Sequence, residues 1–497
     1  VEGAFLFVSK PLVCVTVTGA TTAELRQKRD AVPDADLIEL RLDSVRDPNV
    51  PGALAGRRSP VIVTCRPSWD GGGFTGSEAE RKAILSEALD RGAEFVDVEA
   101  RAHFDDLIAR TAGRRIVLSM HDHERVPSDL AAQFQAMRST GAEIVKIAAT
   151  ATTLADCITL LDIGTQAGRQ GGLVLIGMGP YGIATRVLAS RFGSAWTYAG
   201  SIKSIGQLDA RAMIEDYHFR TLSESSDVYG LIGGAVSHSV SPAMHNAAFR
   251  ALRIDAVYLP LPSPNADDVM AFGRAIGLKG ASVTIPHKVA LFDRVDEVYA
   301  VARRIGAINT IRVADGRWLG GNTDASGFLE TLQGRVPTRG LRASVLGAGG
   351  AARAVVVALA SSGCAVTLHA RRREQAEEMA ILTPAEIGPW PPEPGSWDLL
   401  INCTPIGMYP DVHSTPIPAD QLTGRYVYDL VYNPIETRLV REAARAGCQT
   451  IGGLDMLVAQ AHEQFQWWTG SKPPSGVMRE AATKRLAEFA CDEHYVV

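Results

Sequence analysis

Residues 143–149 read EIVKIAA, a short apolar run with one lysine, Lys146, at its centre. The β-branched residues on both sides of the lysine predict a buried β-strand. Similar runs recur before and after it: VCVTV, LIELRL, VIVTC, FVDVEA, RIVLSM, LVLIGM and AWTYAG. Helical patterns such as SEAERKAILSEALDRG separate these runs. Eight strand–helix units within about 215 residues predict an α/β fold that opens with a parallel (β/α)8 barrel.

Lys146 is interpretable on such a barrel, whose chemistry collects at the C-terminal ends of the strands. Apolar surroundings disfavour an ammonium, so we expect its pKa to lie below the ordinary value of about 10.4, leaving an amine able to attack a ketone. The alternative is a structural ion pair with a carboxylate. Neighbouring strands favour catalysis, because several of them end in charged or titratable residues: Glu39, Arg41, Asp43, Arg66, Asp97, Glu99 and His121.

His121 and His123 also permit a metal site, since residues two apart can point the same way from a strand end. The first and last strand segments, VCVTVTG and AWTYAG, supply no further ligands. We therefore expect no metal.

Five motifs carry a resemblance that covers nearly the whole first block: ELRLD (39–43), TCRPSWDGG (64–72), SMHDH (119–123), EIVKIA (143–148) and GMGPYGIATR (177–186). Together they resemble the type I 3-dehydroquinate dehydratases. The resemblance implies that Lys146 forms a Schiff base with the C3 ketone of 3-dehydroquinate, and that His121 removes the adjacent C2 proton. It also implies substrate contacts from Glu39, Arg41, Arg66, Arg186, Ser204 and Gln207.

Two positions depart from this family. Asp70 stands where the family usually has glutamate, one methylene longer, so we expect a longer contact between this carboxylate and His121. The loop from Ser204 to Gln207 is one residue shorter than the family's, which puts the Ser204 contact in doubt.

The second block contains ASVLGAGGAA (343–352), an apolar strand followed by glycines and a helical run. This is the context of a dinucleotide-binding turn, in which a helix N-terminus holds the pyrophosphate. The next strand, AVTLHA, ends without an acidic residue for the ribose hydroxyls and is followed by Arg371 and Arg372. Arginines suit a 2′-phosphate, so the pattern favours NADP over NAD.

The motifs around this turn resemble shikimate dehydrogenase: GLIGGAVSHSVSPAMHNAAF (230–249), GASVTIPHK (280–288), GAINTI (306–311), GGNTDASGF (320–328), INCTPIGM (401–408), YDLVYNP (428–434) and GGLDMLVAQA (452–461). The resemblance implies an acid–base pair of Lys288 and Asp324. It implies substrate contacts from Ser239, Ser241, Thr284, Asn309, Tyr432 and Gln460. It implies cofactor contacts from Gly347, Ala348, Gly349, Gly350, Ala351, Arg371, Arg372, Thr404 and Gly453.

The order of the two blocks resembles the bifunctional dehydratase–dehydrogenases of plants and some microorganisms. This implies dehydration of 3-dehydroquinate to 3-dehydroshikimate, followed by NADPH-dependent reduction to shikimate. Two alternatives stay open: a quinate dehydrogenase fused to a dehydratase, and a quinate-sensing regulator without catalysis.

The expected domains are a barrel at 1–220, a substrate-binding domain at 228–335 completed by helices at about 454–490, and a Rossmann domain at 336–453.

A net charge of -5 with dispersed basic residues excludes a broad nucleic-acid surface. Because no run is apolar over a membrane thickness, we expect no membrane contact and small-molecule substrates only. Seven cysteines without a C-x-x-C motif indicate the cytoplasm, or a plastid if a transit peptide has been removed.

Overall fold

The computed structural model describes residues 10–491, except 34, 168–170, 201, 203–204, 235, 237 and the side chain of Leu382. Within that part of the chain, the strands form one sheet of eight and two sheets of six. The chain divides into two compact units. The first contains the residues up to Ser226 together with Leu259–Ile276, and the second contains Asp227–Tyr258 and the residues from Gly277 onward.

The eight-stranded sheet is the predicted barrel. Its strands are β1 (Leu12–Val17), β2 (Leu37–Arg41), β3 (Val61–Thr64), β4 (Phe95–Glu99), β5 (Ile116–Asp122), β6 (Ile144–Thr150), β7 (Leu173–Met178) and β8 (Trp196–Ala199). They pair in parallel in the order β7-β6-β5-β4-β3-β2-β1-β8. The Ala195 N–H beside β8 donates to the Leu173 carbonyl on β7 at 2.7 Å, which nearly closes the barrel. The predicted fold class is confirmed.

Helices connect these strands: α1 (Thr22–Ala31), α2 (Val50–Leu54), α3 (Glu78–Asp90), α4 (Asp105–Thr111), α5 (Leu130–Ser139), α6 (Asp156–Ala167) and α7 (Ile183–Val187). Several begin at side-chain caps. Ser77 caps α3 in a capping box with Glu80, which satisfies N–H groups that the helix itself leaves free.

The barrel interior changes from apolar to polar along the strand direction. An apolar cluster includes Leu37, Phe95, Ile144 and Trp196. Two residues further along the same strands stand Glu39, Asp97, Lys146 and Tyr198. Residues i and i+2 of a strand share a face, so all of these side chains point into the barrel. The polar set therefore lies toward the C-terminal ends of the strands, where barrel enzymes hold their substrates.

The second sheet contains β9 (Asp227–Gly233), β10 (Ala256–Pro262), β11 (Leu278–Val283), β12 (Glu297–Val298), β13 (Thr310–Ala314) and β14 (Arg317–Gly321). Their order is β10-β9-β11-β13-β14-β12, with β13 antiparallel to both of its neighbours. The helices in this part of the sequence are α8 (Ser241–Leu252), α9 (Ala266–Ala275), α10 (His287–Ala290), α11 (Ala300–Ile305) and α12 (Asp324–Leu332).

The third sheet is fully parallel. It contains β15 (Arg342–Leu346), β16 (Ala365–His369), β17 (Glu386–Ile387), β18 (Leu399–Asn402), β19 (Tyr426–Asp429) and β20 (Gln449–Ile451), in the order β17-β16-β15-β18-β19-β20. This is the 3-2-1-4-5-6 strand order of dinucleotide-binding folds. The accompanying helices are α13 (Gly350–Ser361), α14 (Arg373–Leu382), α15 (Arg438–Arg445), α16 (Gly453–Thr469) and α17 (Val477–Cys491).

The C-terminal helices pack on the second sheet's core. Phe465 and Trp468 of α16 and Met478 of α17 share one buried cluster with Tyr229 of β9 and Met244 of α8. None of the helices in the described residues is long and apolar enough to span a bilayer.

Two glycines that follow neighbouring barrel helices allow a matched test of backbone packing. Gly113 and Gly141 both have positive φ, +74° and +80°. A Cβ on Gly113 would lie 1.8 Å from the Gly141 carbonyl oxygen, whereas a Cβ on Gly141 would meet nothing within 4 Å. Gly141→Ala should cost about 1–2 kcal/mol of unfolding free energy, from its φ alone. Gly113→Ala should cost about 1–3 kcal/mol more, because the backbone must also move. Urea unfolding followed by circular dichroism measures both losses, and equal losses would contradict the packing described here.

Candidate active sites

Lys146 is buried in an ion pair inside the barrel. Its Nζ donates to Asp97 Oδ2 at 2.9 Å, and Glu39 Oε1 lies 3.9 Å away. The Tyr198 ring centre is 4.5 Å from the same nitrogen. The carboxylate pairing left open as an alternative is therefore present.

Asp97 is the acidic centre of this arrangement. Its other oxygen, Oδ1, accepts from Ser119 Oγ at 2.5 Å and lies 3.1 Å from Arg66 Nη2. Burial favours the neutral acid, but Arg66 and Lys146 outweigh it and hold the pKa of Asp97 below its ordinary value. A carboxylate is therefore fixed beside the lysine.

His121 lies at the end of β5 and is oriented by Asp70. Its Nδ1 is 2.9 Å from Asp70 Oδ2, an ordinary hydrogen-bond length. The expected lengthening is therefore wrong, because the 3₁₀ turn Ser68–Asp70 brings the shorter side chain within reach. Burial and the Arg66 charge lower the pKa of His121 to about 4, against the opposing bond to Asp70. The imidazole is thus neutral near pH 7 and can accept a proton at Nε2.

Arg186 supplies a cation that has no acidic partner within the described part of the chain. Its side chain is 1% exposed and donates to the carbonyls of Tyr198 at 3.4 Å and Ile205 at 2.8 Å, while its Nε has no partner. No carboxylate among the described residues forms an ion pair with it, and burial lowers its pKa to about 10. A buried arginine in this state favours an anionic ligand.

Three other residues predicted to contact the substrate are engaged with protein groups. Glu39 accepts hydrogen bonds from Thr16 and Thr64, both at 2.9 Å. Arg41 donates to both oxygens of Asp43, at 2.9 and 2.8 Å. Arg66 is likewise held by several carboxylates.

These side chains surround one cavity of about 300 Å³. It is lined by Lys146, His121, Arg186, Glu39, Arg41, Arg66 and Gln207, which the sequence singled out, and by Tyr198, which it did not. Ser204 lies outside the described residues. The cavity therefore brings together a lysine, a neutral histidine and an unpaired arginine.

A second site lies in the other unit. Lys288 Nζ donates to Asp324 Oδ2 at 2.6 Å, and Asn309 Nδ2 donates to Asp324 Oδ1 at 2.8 Å. The same amide is 3.5 Å from Gln460 Oε1. Lys288 lies on α10 after β11, and Asp324 begins α12 after β14. These two strands run in the same direction on either side of antiparallel β13, so their C-terminal ends lie at the same edge of the sheet. The predicted acid–base pair is in direct contact.

Four further residues of this unit were predicted to contact the substrate: Ser239, Ser241, Thr284 and Tyr432. Ser239 and Ser241 hydrogen-bond to each other, with their Oγ atoms 3.2 Å apart. Thr284 is half-buried after β11, and its N–H donates to the Ile232 carbonyl at 2.8 Å. Burial raises the pKa of the Tyr432 phenol, opposed by its hydrogen bond with Ser239.

The glycine-rich turn has the form of an anion site. Gly347 has φ +103°, and a Cβ there would lie 3.0 Å from Thr404 Cγ2. Helix α13 starts at Gly350 with Gly349 as its N-cap and no side-chain cap, so the N–H groups of its first turn, including that of Ala351, face outward without a side-chain acceptor. A Cβ on Gly349 would meet nothing within 4 Å, which leaves room for a phosphate.

The residues beside this turn also suit NADP. Arg371 and Arg372 are exposed after β16, the strand next to β15. Ala348 is half-buried in the turn itself. Gly453 starts α16 so close to β19's end that a Cβ would lie 2.3 Å from the Leu430 carbonyl. The site fits a phosphate-bearing dinucleotide.

Family models match both halves of the chain. The type I 3-dehydroquinase family model matches residues 13–224. The model of the shikimate dehydrogenase substrate binding domain matches residues 231–311, and that of the shikimate 5'-dehydrogenase C-terminal domain matches residues 453–483.

A bifunctional 3-dehydroquinate dehydratase/shikimate dehydrogenase of Arabidopsis thaliana, described as chloroplastic, is 34% identical over 90% of this chain and 80% of its own length. The chain belongs to this bifunctional family. Its predicted membership is confirmed.

Two relatives match the second half alone. A shikimate dehydrogenase (NADP(+)) of Symbiobacterium thermophilum is 44% identical over 52% of this chain and 94% of its own length. A crystal structure of shikimate dehydrogenase in complex with NADP+ has a TM-score of 0.50 at 37% identity, and covers 53% of this chain and 97% of that one.

Some residues of the second site were not singled out from the sequence. In the second site, Tyr258 donates to Ser282 at 2.7 Å, and Ser282 donates to Gln464 at 2.5 Å. Gln464 then donates to the Asn309 carbonyl at 3.2 Å, which ties α16 to the residue that precedes β13. The available signal was the spacing of Gln460 and Gln464, one helical turn apart on one face.

The two histidines do not extend into a metal site. In the described residues, no group of three or more His, Cys, Asp or Glu side chains could hold a metal ion. His121 and His123 stack with ring centres 6.1 Å apart, and a Cβ on Gly71 would lie 2.9 Å from His123 Nε2.

Proposed function

We propose that this chain catalyses two consecutive steps of the shikimate pathway. The barrel dehydrates 3-dehydroquinate to 3-dehydroshikimate, and the second unit reduces that product to shikimate with NADPH. The observation that carries the barrel assignment is that one cavity holds Lys146, a neutral His121 and an Arg186 that no described carboxylate pairs with. The family relatives support this function over a quinate dehydrogenase fusion or a non-catalytic regulator.

In the barrel, the free amine form of Lys146 attacks the C3 ketone. The proton that the ammonium gave up leaves with the ketone oxygen as water, and an iminium forms. The iminium withdraws electrons from C2, so His121 removes the C2 proton and an enamine forms. The enamine re-forms the iminium while the C1 hydroxyl leaves, with His121 returning a proton to it as water. Hydrolysis of the imine frees 3-dehydroshikimate and Lys146.

Binding is assigned to the polar rim of the same cavity. Arg186 holds the substrate carboxylate, because it is the buried arginine whose charge no described carboxylate neutralises. Glu39, Arg41, Arg66, Ser204 and Gln207 contact the carboxylate or the ring hydroxyls.

In the second unit, Lys288 stabilises the developing oxyanion and the Lys288–Asp324 pair delivers the proton. Asn309 holds the Asp324 carboxylate in place, which fixes the lysine as well. Ser239, Ser241, Thr284, Tyr432 and Gln460 bind the carboxylate and ring hydroxyls. NADPH, when bound, supplies the hydride.

NADP binding is assigned to the turn Gly347–Ala351, with Arg371 and Arg372 on the 2′-phosphate and with Thr404 and Gly453 nearby. The domain limits remain those given above: 1–220, 228–335 with about 454–490, and 336–453. We place the chain in the cytoplasm, or in a plastid like the Arabidopsis relative, without nucleic-acid or membrane partners. Its free cysteines agree with a reducing compartment.

The imine assignment is tested by trapping. Borohydride added with 3-dehydroquinate should leave a covalent adduct on Lys146, found by mass spectrometry. Lys146→Ala should lose dehydration and keep shikimate oxidation, because the second site shares no residue with the cavity. His121→Ala is the matched variant: it should still be trapped, while turnover falls by about 10²–10⁴-fold. An adduct on another lysine would refute the assignment.

Cofactor choice is tested at Arg371 and Arg372. Each charged hydrogen bond is worth about 1.5–3 kcal/mol, so replacing both by glutamine should raise the KM for NADP at least about tenfold. The KM for NAD should change little. The exposed Arg373, which pairs with Glu377 at 2.9 Å, is the control position. Equal weakening of both cofactors would mean that the pair does not read the phosphate.

The acid–base pair is tested by a double-mutant cycle. Lys288→Met and Asp324→Asn should each slow shikimate oxidation, and the double variant should be little slower than the worse single one, since groups acting as a unit give non-additive losses. Dehydratase activity serves as the folding control. Fully additive losses would show that the two residues act independently.

A further inference from the structure

Arg66 occupies an unusual position among the barrel's carboxylates. Its Nη1 lies 2.7 Å from Glu99 Oε1 and 3.3 Å from Asp70 Oδ2, and its Nη2 lies 3.1 Å from Asp97 Oδ1. Nη1 also donates to Ser119 Oγ at 3.0 Å. The residue is 4% exposed, and both of its terminal nitrogens contact protein carboxylates.

Two of these carboxylates are the partners of the two reacting side chains. Asp70 Oδ2 is the oxygen that bonds to His121 Nδ1 at 2.9 Å. Asp97, through its other oxygen, accepts from Lys146 Nζ at 2.9 Å. One unbroken chain of charged contacts therefore runs from the histidine to the lysine through the guanidinium.

We propose that Arg66 is a positioning residue that joins the His121–Asp70 and Lys146–Asp97 pairs and sets the protonation of both at once. This role rests on the proposed function and adds to any contact that Arg66 makes with substrate. The positive charge lets Asp70 and Asp97 stay ionised while it disfavours a second cation on His121.

The other charged groups around His121 are committed elsewhere. Arg41 is bound bidentately by Asp43, and Arg81 pairs with Glu78 and Glu99. Arg186 donates to backbone carbonyls and, as far as the described residues go, forms no ion pair. Of the remaining cavity groups, Lys146 adds a positive charge, Glu39 a negative one, and His123 stacks on the His121 ring. Among the described residues, Arg66 is the cation that contacts both pairs.

Removing the guanidinium charge should move both pairs in the same direction. Asp70 would then hold a proton on His121 more strongly, and Asp97 would hold the Lys146 ammonium more strongly. The neutral imidazole of His121 and the free amine of Lys146 would then both form only at a higher pH.

The test compares Arg66→Met with Arg66→Lys in the full chain. In Arg66→Met, the acidic limb of the kcat–pH profile for dehydration should move up by about one pH unit or more, the size of effect expected from a nearby charge. Borohydride trapping at pH 7 should fall and recover at higher pH. Arg66→Lys keeps the charge and should show less than half of that shift. Shikimate oxidation by the same chain is the folding control.

Glu99→Gln provides a variant of opposite sign. It removes one negative partner of Arg66 without touching either reacting pair, so the acidic limb should move to lower pH. If the Arg66→Met barrel does not fold, the pH profile of Glu99→Gln alone tests the proposed role of Arg66. An unchanged profile in Arg66→Met, or in Glu99→Gln when Arg66→Met cannot be studied, would overturn the proposal and leave Arg66 as a substrate contact alone. Failure of wild-type trapping at Lys146 would instead refute the proposed dehydration mechanism.

Discussion

The ion pair between Lys146 and Asp97, 2.9 Å long and closed off from solvent, is the constraint around which the barrel site is organised. A buried ammonium and carboxylate are costly to desolvate, and their attraction compensates only if the remaining hydrogen-bonding groups are satisfied. Ser119 and Arg66 satisfy Asp97, and Thr16 and Thr64 satisfy Glu39. These buried polar side chains therefore stabilise one another, and removing one of them leaves another buried charge without its partner.

The second site also contains a lysine paired with a carboxylate, but the groups that hold the carboxylate differ. There the lysine is held by one carboxylate, and an amide rather than an arginine steadies that carboxylate. The stem of Lys288 also lies against the cofactor turn, since a Cβ on Gly350 would be 3.0 Å from Lys288 Cδ. The absence of a side chain at Gly350 therefore lets the catalytic lysine and the helix that would hold the phosphates approach closely.

Much of this arrangement is predictable from sequence, because strands buried on both faces are recognisable as short apolar runs and motif order identifies the family. Lys146 and His121 could be located as polar residues near strand ends. The roles of Asp97 and Arg66 could not, since they depend on which strands are neighbours and on register. The 2.9 Å contact from Asp70 to His121 spans 51 positions and depends on a 3₁₀ turn that residue type alone does not predict. Tyr198, an inward residue of β8, was missed because an aromatic strand residue is ordinarily core.

The most direct test of the two-step function is a time course with purified chain and 3-dehydroquinate, in which 3-dehydroquinate, 3-dehydroshikimate and shikimate are quantified separately. Without NADPH, the reaction should stop at 3-dehydroshikimate. With NADPH, shikimate should follow, with one NADPH oxidised for each shikimate formed. Accumulation of quinate in place of shikimate, or consumption of NADPH before any 3-dehydroshikimate appears, would contradict the assignment.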